Sequence, residues 1–458
     1  MSAPATTQAP PALTPKASLP RWAGLLIPVA VGLIIWFIPV PDGVGSFAKE
    51  GYEGDGSQAW HLLAIFVATI LATILKPPPT GALCITAMAV VAGSGTLPIA
   101  DTLSGFANPT IWLIVMAFFI SRGVIKTGLG NRIALFFVSK LGKRPLGLAY
   151  GMALTDLVIA PATPSNTARA GGIIMPILTS ISKTYGSEPN GPSARRIGAY
   201  LTQTAFIVNC ITSAMFLTAM AGNPLAQELA AGQGVEITWG GWALAAIVPG
   251  IVSLIAVPWV MFKLYPPELR ETPEAAATAA AQLKALGGLT RNEWIMTGTI
   301  VGLLLLWTLG DPLFDMTATT TAFIGLAVLL LVSVLTWEDV KKETQAWDTL
   351  IWFAALVMMA SFLNTLGLIP WVSDRMSTAT GGLSWVVAFA ILTLVYYYSH
   401  YLFASNTAHY SSGPAPVLFG SGYVPLSNWW RNGFAMSVLL IGIWTTIGGL
   451  WMKVLGLW

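Results

Sequence analysis

The sequence predicts an all-α integral membrane protein, and three observations carry that prediction. Hydrophobic residues make up 55% of the 458 residues and charged residues only 9%, whereas ordinary soluble domains carry roughly 25% charged residues. The mean hydropathy is +0.70. Apolar runs of about 20 residues, the length at which a helix crosses a bilayer, recur along the whole chain. One membrane domain in contact with lipid, without a soluble catalytic module, is therefore expected.

The apolar segments follow one another with short loops between them. Residues 1–21 are rich in Ala, Pro and Thr and are expected to form a disordered tail, because the run 22–40 that follows is long enough to span a membrane and has no cleavage site. Residues 22–107 are predicted to supply scaffold helices. The candidate helices are 22–40, 59–75, 80–97, 110–141 (interrupted near Gly128 and Gly130), 145–164, 168–182, 197–220, 240–262, 293–309, 318–336, 349–370, 383–404 and 432–452.

The segment 145–182 is expected to enter the membrane and leave it on the same side. Pro161, Pro164 and the tripeptide Ser165-Asn166-Thr167 interrupt its middle, and such breaks occur at membrane depth where the backbone is buried in protein or lines a cavity. By the positive-inside rule its flanks, the loop 263–292 and the amino terminus are cytoplasmic. The flanking basic residues are Arg122, Lys126, Arg132, Lys140, Lys143 and Arg144 before it, and Lys183, Arg195 and Arg196 after it.

The chain contains an internal repeat. The Ser-Asn-Thr tripeptide recurs at 405–407, and a similar Trp-led apolar helix precedes each copy, ending near Thr127 in one half and near Thr365 in the other. From these threonines to the Thr of each tripeptide the distances are 40 and 42 residues. Counting spans gives the two halves, 108–262 and 293–458, opposite orientations. They are therefore predicted to form an inverted repeat with re-entrant hairpins and a site near the midplane.

The two tripeptides predict a binding site for small anions. A polar tip in hydrocarbon costs several kcal/mol if it stays unpaired. Asn amides donate hydrogen bonds, Ser and Thr hydroxyls donate or accept, and helix-end N–H groups favour negative charge. Two such tips facing each other suit a molecule with an anionic group at each end. The expected substrate-binding residues are Ser165, Asn166, Thr167, Ser405, Asn406 and Thr407.

A cationic or titratable residue follows each tip after one alanine, Arg169 in the first half and His409 in the second. Both are expected to compensate the substrate's charge. Exchange of one anion for another is then favoured over sodium symport, because a carrier with permanent positive charge returns poorly when empty. Alternatively, Asp156 neutralises Arg169 in a structural ion pair. Asn209 and Thr212 are expected to support the tip, either at an unwound segment opposite it or as groups that hydrogen-bond between helices.

Three longer motifs resemble those of the divalent-anion/sodium symporter family: the run 161–169, the run 400–405 and the run 419–425 with Trp429-Trp430-Arg431 after it. The likeness is greatest to the branch of 2-oxoglutarate/malate translocators and citrate/succinate antiporters. It extends from about residue 22 to the end.

This resemblance implies a homodimer that works by an elevator motion of a transport domain against a scaffold domain. It also implies that Asn166, Thr167, Asn406 and Thr407 contact the substrate carboxylates. The expected function is transport of di- or tricarboxylates of the malate, 2-oxoglutarate, succinate and citrate type across the inner (plasma) membrane. Sodium-coupled symport is the alternative.

The second repeat is predicted to be shortened. Thr167 precedes the Ala-Gly-Asn-Pro sequence at Ala221 by 54 residues, whereas Thr407 precedes the matching Ser-Ser-Gly-Pro sequence at Ser411 by only 4. About fifty residues are thus expected to be missing from the hairpin region 383–412. An inactive, truncated paralogue is therefore a further alternative.

Other classes of protein are not predicted. The net charge of +3 is too small to indicate nucleic-acid binding, and no metal, cofactor or nucleotide signature is present. Neither Ser165 nor Ser405 has the Gly-x-Ser-x-Gly setting of a hydrolase. Cys84 and Cys210 both lie in apolar runs, so no disulfide is expected.

Overall fold

The computed structural model describes residues 21–75, 79–232, 234–380, 384, 387–391, 394 and 414–457. All regular secondary structure within these residues is helical. The second tip, 405–407, and His409 lie outside the described residues, and so does most of the predicted span 383–404.

The helices are named here in chain order. They are α1 (Arg21–Phe37), α2 (Ser57–Leu75), α3 (Thr80–Gly93), α4 (Ile99–Thr102), α5 (Pro109–Thr127), α6 (Leu129–Leu141), α7 (Pro145–Ile159), α8 (Asn166–Arg169), α9 (Met175–Thr184), α10 (Gly198–Met215), α11 (Gly222–Ala231), α12 (Trp239–Leu264), α13 (Pro273–Ala285), α14 (Arg291–Phe314), α15 (Ala318–Leu331), α16 (Trp337–Lys342), α17 (Thr344–Thr365), α18 (Leu368–Thr380), α19 (Pro414–Gly420), α20 (Leu426–Gly442) and α21 (Gly449–Val454). A π-helical turn, Ala170–Ile174, joins α8 to α9, and a second, Ile443–Gly448, joins α20 to α21.

Seven helical segments of the described chain are long and apolar enough to cross a membrane. Three shorter apolar helices, 24–37, 80–93 and 318–331, accompany them. These segments lie close to the predicted ones and confirm the all-α membrane fold. The seven are Ser57–Leu75, Pro109–Thr127, Pro145–Ala162, Trp239–Leu264, Arg291–Gly310, Thr344–Thr365 and Leu426–Val454.

The described chain divides into two compact units, the first containing residues up to 103 together with 358–380. In this unit α1 and α2 approach closely at Gly32, where an added Cβ would lie 2.9 Å from the Cβ of Ala68. The Trp60 indole donates to the Ile35 carbonyl at 3.0 Å. Small residues at such crossings let helix backbones pack without a hydrophobic driving force.

The second unit contains residues 104–357 and 414–457. Its central helix is α10, which packs against α7, α9, α12 and α19 and is buried along most of its length. The predicted cytoplasmic loop 263–292 is partly helical, since it contains α13. Four of the flanking cations were expected in a loop, and that expectation was wrong: Arg122 and Lys126 lie on α5, and Arg132 and Lys140 lie on α6.

One local arrangement occurs twice. α5 ends at Thr127, directly before Gly128, which has a left-handed φ of 76°, and a 13-residue helix, α6, follows. α17 ends two residues before Gly367, which has a φ of 89°, and the next helix, α18, also has 13 residues. Glycine adopts this conformation without the steric cost of a Cβ. The recurrence supports the predicted internal repeat.

Substituting the two glycines should have unequal effects. At Gly128 an added Cβ meets nothing within 4 Å, so Gly128→Ala should cost only the left-handed strain of about 1 kcal/mol. At Gly367 the Cβ would lie 2.7 Å from main-chain atoms of residues 44, 47 and 48. We expect Gly367→Ala to lower the melting temperature of the purified protein more than Gly128→Ala does. Equal losses would contradict this account.

Candidate functional site

The first Ser-Asn-Thr tip lies at the turn of a helical hairpin. α7 leads into it through the 3-10 turn Ala160–Ala162, and the helix formed by α8, the π turn and α9 leads away. Ile159 lies seven residues before Asn166, and Ile173 lies seven residues after it. A Cβ added to Gly130 of α6 would lie 3.6 Å from Ile159 Cδ1 and 2.7 Å from Ile173 Cδ1. Equivalent positions on the two limbs thus meet the same residue, so the limbs run antiparallel.

The tip itself is extended, because Thr163 and Ser165 have β-region backbone angles and Pro164 lacks an N–H group. The Ser165 hydroxyl caps the returning helix and accepts from the Ala168 N–H at 3.0 Å. The N–H groups of Asn166 and Thr167 have no acceptor among the described residues. Free N–H groups at the start of a helix are a favourable place for anionic oxygens.

Asn166 carries a second unused donor. The residue is 6% exposed, and its amide nitrogen has no hydrogen-bond partner among the described residues. A buried donor without a partner costs about 1–3 kcal/mol. Thr167, the next residue, is half-buried. The tip therefore offers hydrogen-bond donors that the described protein does not itself use.

Arg169 is completely enclosed three residues after Asn166, with 1% of its surface exposed. Its Nη1 donates to two main-chain carbonyls, that of Thr163 at 2.6 Å and that of Ala219 at 2.7 Å. Its Nη2 donates to the Ser213 hydroxyl at 2.8 Å. Its Nε donates to Asp156 Oδ1 at 3.0 Å. The guanidinium thus cross-links both limbs of the hairpin to the end of α10.

Asp156 is the counter-ion of Arg169 and is itself 2% exposed. The Asn209 amide donates to its two oxygens at 3.2 and 3.1 Å, and the Thr212 hydroxyl donates to Oδ2. Buried ion pairs are tolerated when hydrogen bonds satisfy the remaining lone pairs. Three residues predicted to support the tip, Asp156, Asn209 and Thr212, are thus brought together behind it. This geometry supports the ion-pair alternative for Arg169.

Asn209 and Thr212 lie within α10 and hydrogen-bond to Asp156 of α7, which is the second of the two arrangements expected for them. α10 stays α-helical through both residues and ends at Met215, and the segment 216–221, which contains a 3-10 turn at Leu217–Ala219, follows before α11. Asn223 donates to the carbonyls of Ser213 at 2.7 Å and Phe216 at 2.9 Å and so satisfies the open end of α10. The Thr218 hydroxyl donates to the Pro161 carbonyl at 2.6 Å. The segment 216–221 therefore packs against the hairpin tip.

Gln345 reaches the first tip from the second half of the chain, and sequence reasoning missed it. Its Nε2 lies 3.4 Å from the Ser165 hydroxyl oxygen, and its side chain is exposed. It lies in the first turn of α17. The apolar pattern of the sequence predicted that this helix begins only at residue 349, so Gln345 fell outside it. Within the described ranges no three His, Cys, Asp or Glu side chains lie together as a metal site.

Comparison with known proteins identifies the family. The family described as the sodium:sulfate symporter transmembrane region matches residues 19–411 and 408–458. A relative from Bacillus subtilis (strain 168), YflS, is 54% identical to this chain over 482 residues, which cover 97% of this chain and 98% of the relative. Its name gives malate transport as its suggested function.

Two further relatives have transporter names. Dicarboxylate transporter 1 of Spinacia oleracea chloroplasts is 41% identical over 488 residues, with 96% of this chain and 84% of the relative covered. The citrate/succinate antiporter of Escherichia coli (strain K12) is 35% identical over 492 residues, with 95% and 98% covered. The chain therefore belongs to the divalent-anion/sodium symporter family of membrane proteins, whose members are secondary transporters and not enzymes.

Proposed function

We propose that this protein exchanges one di- or tricarboxylate for another across the bacterial inner membrane. The unpaired amide of Asn166 at the first tip carries the proposal. It lies beside two free N–H groups in a buried setting, and an ionised carboxylate, which only accepts hydrogen bonds, is complementary to such a set of donors. Relatives named for dicarboxylates and citrate support the same class of substrate.

The proposed site takes Ser165, Asn166 and Thr167 for one carboxylate and the second tip, 405–407, for the other. Gln345 extends the donors of the first tip, because its amide lies at hydrogen-bond distance from Ser165. The proposal retains a homodimer with a cytoplasmic amino terminus, and an elevator motion of the transport domain.

Exchange without sodium is supported by the surroundings of Arg169. A bound cation at the tip would be held by main-chain carbonyls, and the guanidinium already engages those of Thr163 and Ala219. Because Asp156 pairs with Arg169, the pair as a whole adds no net charge. Arg169 therefore occupies carbonyls that a bound cation would need, but it does not supply the uncompensated positive charge that the sequence led us to expect of it. His409 remains a proposed partner of the second tip.

The test is counterflow of radiolabelled malate in proteoliposomes. We expect uptake into vesicles loaded with unlabelled malate to proceed at the same rate in sodium and in choline buffers, and to be small in vesicles loaded with buffer alone. Vesicles without protein provide the background. Uptake that requires sodium and proceeds without internal malate would favour the symport alternative.

The predicted shortening of the second repeat suggests a second candidate, an inactive paralogue. The family match divides into two stretches that meet at residues 408–411, close to the predicted gap. The match to the spinach relative extends over 488 positions, more than the 458 residues of this chain. An inactive protein would show no counterflow under any condition and no thermal stabilisation by dicarboxylates.

A further inference from the structure

Arg122 is a charged residue inside the membrane span Pro109–Thr127 that the site described above does not use. It is half-buried, and it forms no hydrogen bond or ion pair within the part of the chain that the structure describes. Lys126, one turn further along α5, is paired with Asp339 at 2.6 Å. A cation in a membrane span is costly and indicates function by default.

Contacts on both sides of Arg122 show which elements its face of α5 meets. One turn before it, the ring of Phe119 lies 5.3 Å from the ring of Trp347, two residues after Gln345. One turn after it, Ile125 Cδ1 lies 3.8 Å from the Cβ position of Gly172 on the returning limb of the hairpin. Residues three apart on a helix share a face. Arg122 therefore lies on the face of α5 directed at the start of α17 and at the hairpin.

An acidic residue, Glu343, lies close to the contact between Gln345 and the first tip. It lies between α16 and α17, two residues before Gln345, and is half-buried. Burial raises the pKa of the Glu343 carboxyl, and the guanidinium of Arg122 opposes that rise, so the two charges are within electrostatic range. Glu343 accepts no side-chain hydrogen bond from a described residue. The interaction is therefore loose, unlike the bonded pair of Arg169 and Asp156.

We propose that Arg122 contacts the carboxylate of the substrate at the first tip, and that Glu343 is the counter-ion it leaves when the substrate binds. This inference rests on the proposed carboxylate exchange. A guanidinium binds a carboxylate through two parallel hydrogen bonds, and Arg169 is not available for this because each of its three nitrogens is already engaged inside the protein. Arg122 supplies the mobile positive charge that Arg169 does not.

The test compares succinate with its monoamide, succinamate, which has one carboxylate and a neutral amide of the same shape. In wild-type proteoliposomes the KM for succinamate should exceed that for succinate by about 10-fold or more, the loss expected when a charged partner meets an amide. In Arg122→Gln that ratio should fall to about 3 or less, mainly because the KM for succinate rises. Glu343→Gln should lower the KM for succinate.

The matched control is Lys126→Gln on the same helix, which should leave the ratio at its wild-type value. An unchanged ratio in Arg122→Gln overturns the inference, and so does an effect confined to vesicles that contain anionic lipid, because the guanidinium would then bind a lipid phosphate. If the Arg122→Gln protein melts well below wild type, Arg122→Lys is measured in its place. This variant keeps the charge and should retain part of the discrimination between succinate and succinamate. Wild-type protein that exchanges no succinate refutes the proposed function instead.

Discussion

Asp156→Asn is expected to destabilise the protein by about 3–5 kcal/mol, the largest single effect we anticipate on folding. The substitution leaves the guanidinium of Arg169, 1% exposed, without its counter-ion. It also replaces a carboxylate that accepts from Asn209 and Thr212 with an amide that has only one acceptor oxygen. The free energy of unfolding of the purified protein in detergent measures the loss.

The control for Asp156→Asn is the same change at a less buried ion pair. Asp339 pairs with Lys126 where the side chains are 18% and 37% exposed, so Asp339→Asn should cost about 1 kcal/mol or less. The double variant Asp156→Asn with Arg169→Gln removes both buried charges. Its loss of stability should be smaller than the sum of the losses in the two single variants, because the coupling between contacting charges is lost only once. Similar losses at Asp156 and Asp339, or strict additivity, contradict a buried ion pair.

The sequence predicted the break in the first hairpin because the signals for it are local. Pro161, Pro164 and the polar tripeptide 165–167 interrupt an apolar run, and each acts on its own backbone. The Asp156–Arg169 pair was foreseen as an alternative for the same reason, since both residues lie on one hairpin. The surroundings of Arg169 were not foreseen. Two of its four partners are main-chain carbonyls, those of Thr163 and Ala219, and a carbonyl leaves no trace in the pattern of side chains.

Two other features of the site depend on contacts that are distant in sequence. Gln345 meets Ser165 across 180 residues, and only the packing of α17 on the hairpin brings them together. The sequence left two arrangements open for Asn209 and Thr212, an unwound segment or hydrogen bonding between helices. Both residues hydrogen-bond to Asp156 of α7, and α10 ends at Met215, where Asn223 supplies the missing donors. Polar residues inside a helix thus indicated a neighbour and not an end.

Asn166→Ala is expected to reduce exchange by about 100-fold while leaving the fold at least as stable as before. The Asn166 amide nitrogen is buried without a partner in the described structure, so its removal deletes no hydrogen bond and relieves the cost of an unsatisfied donor, about 1 kcal/mol or more. A residue that serves only the fold would behave in the opposite way. Loss of its contacts to a carboxylate should reduce counterflow by about 100-fold, equivalent to two hydrogen bonds to a charged group.

The measurements for Asn166→Ala are malate counterflow and the melting temperature with and without malate. Wild-type protein should melt at a higher temperature when malate is added, since a ligand that binds only the folded state stabilises it, and Asn166→Ala should show no such shift. Asn131→Ala, at an exposed position of α6, should match wild type in both assays. If Asn166→Ala still exchanges malate at the wild-type rate, or if it unfolds readily, then the donors at the first tip hold the hairpin together and the carboxylate binds elsewhere.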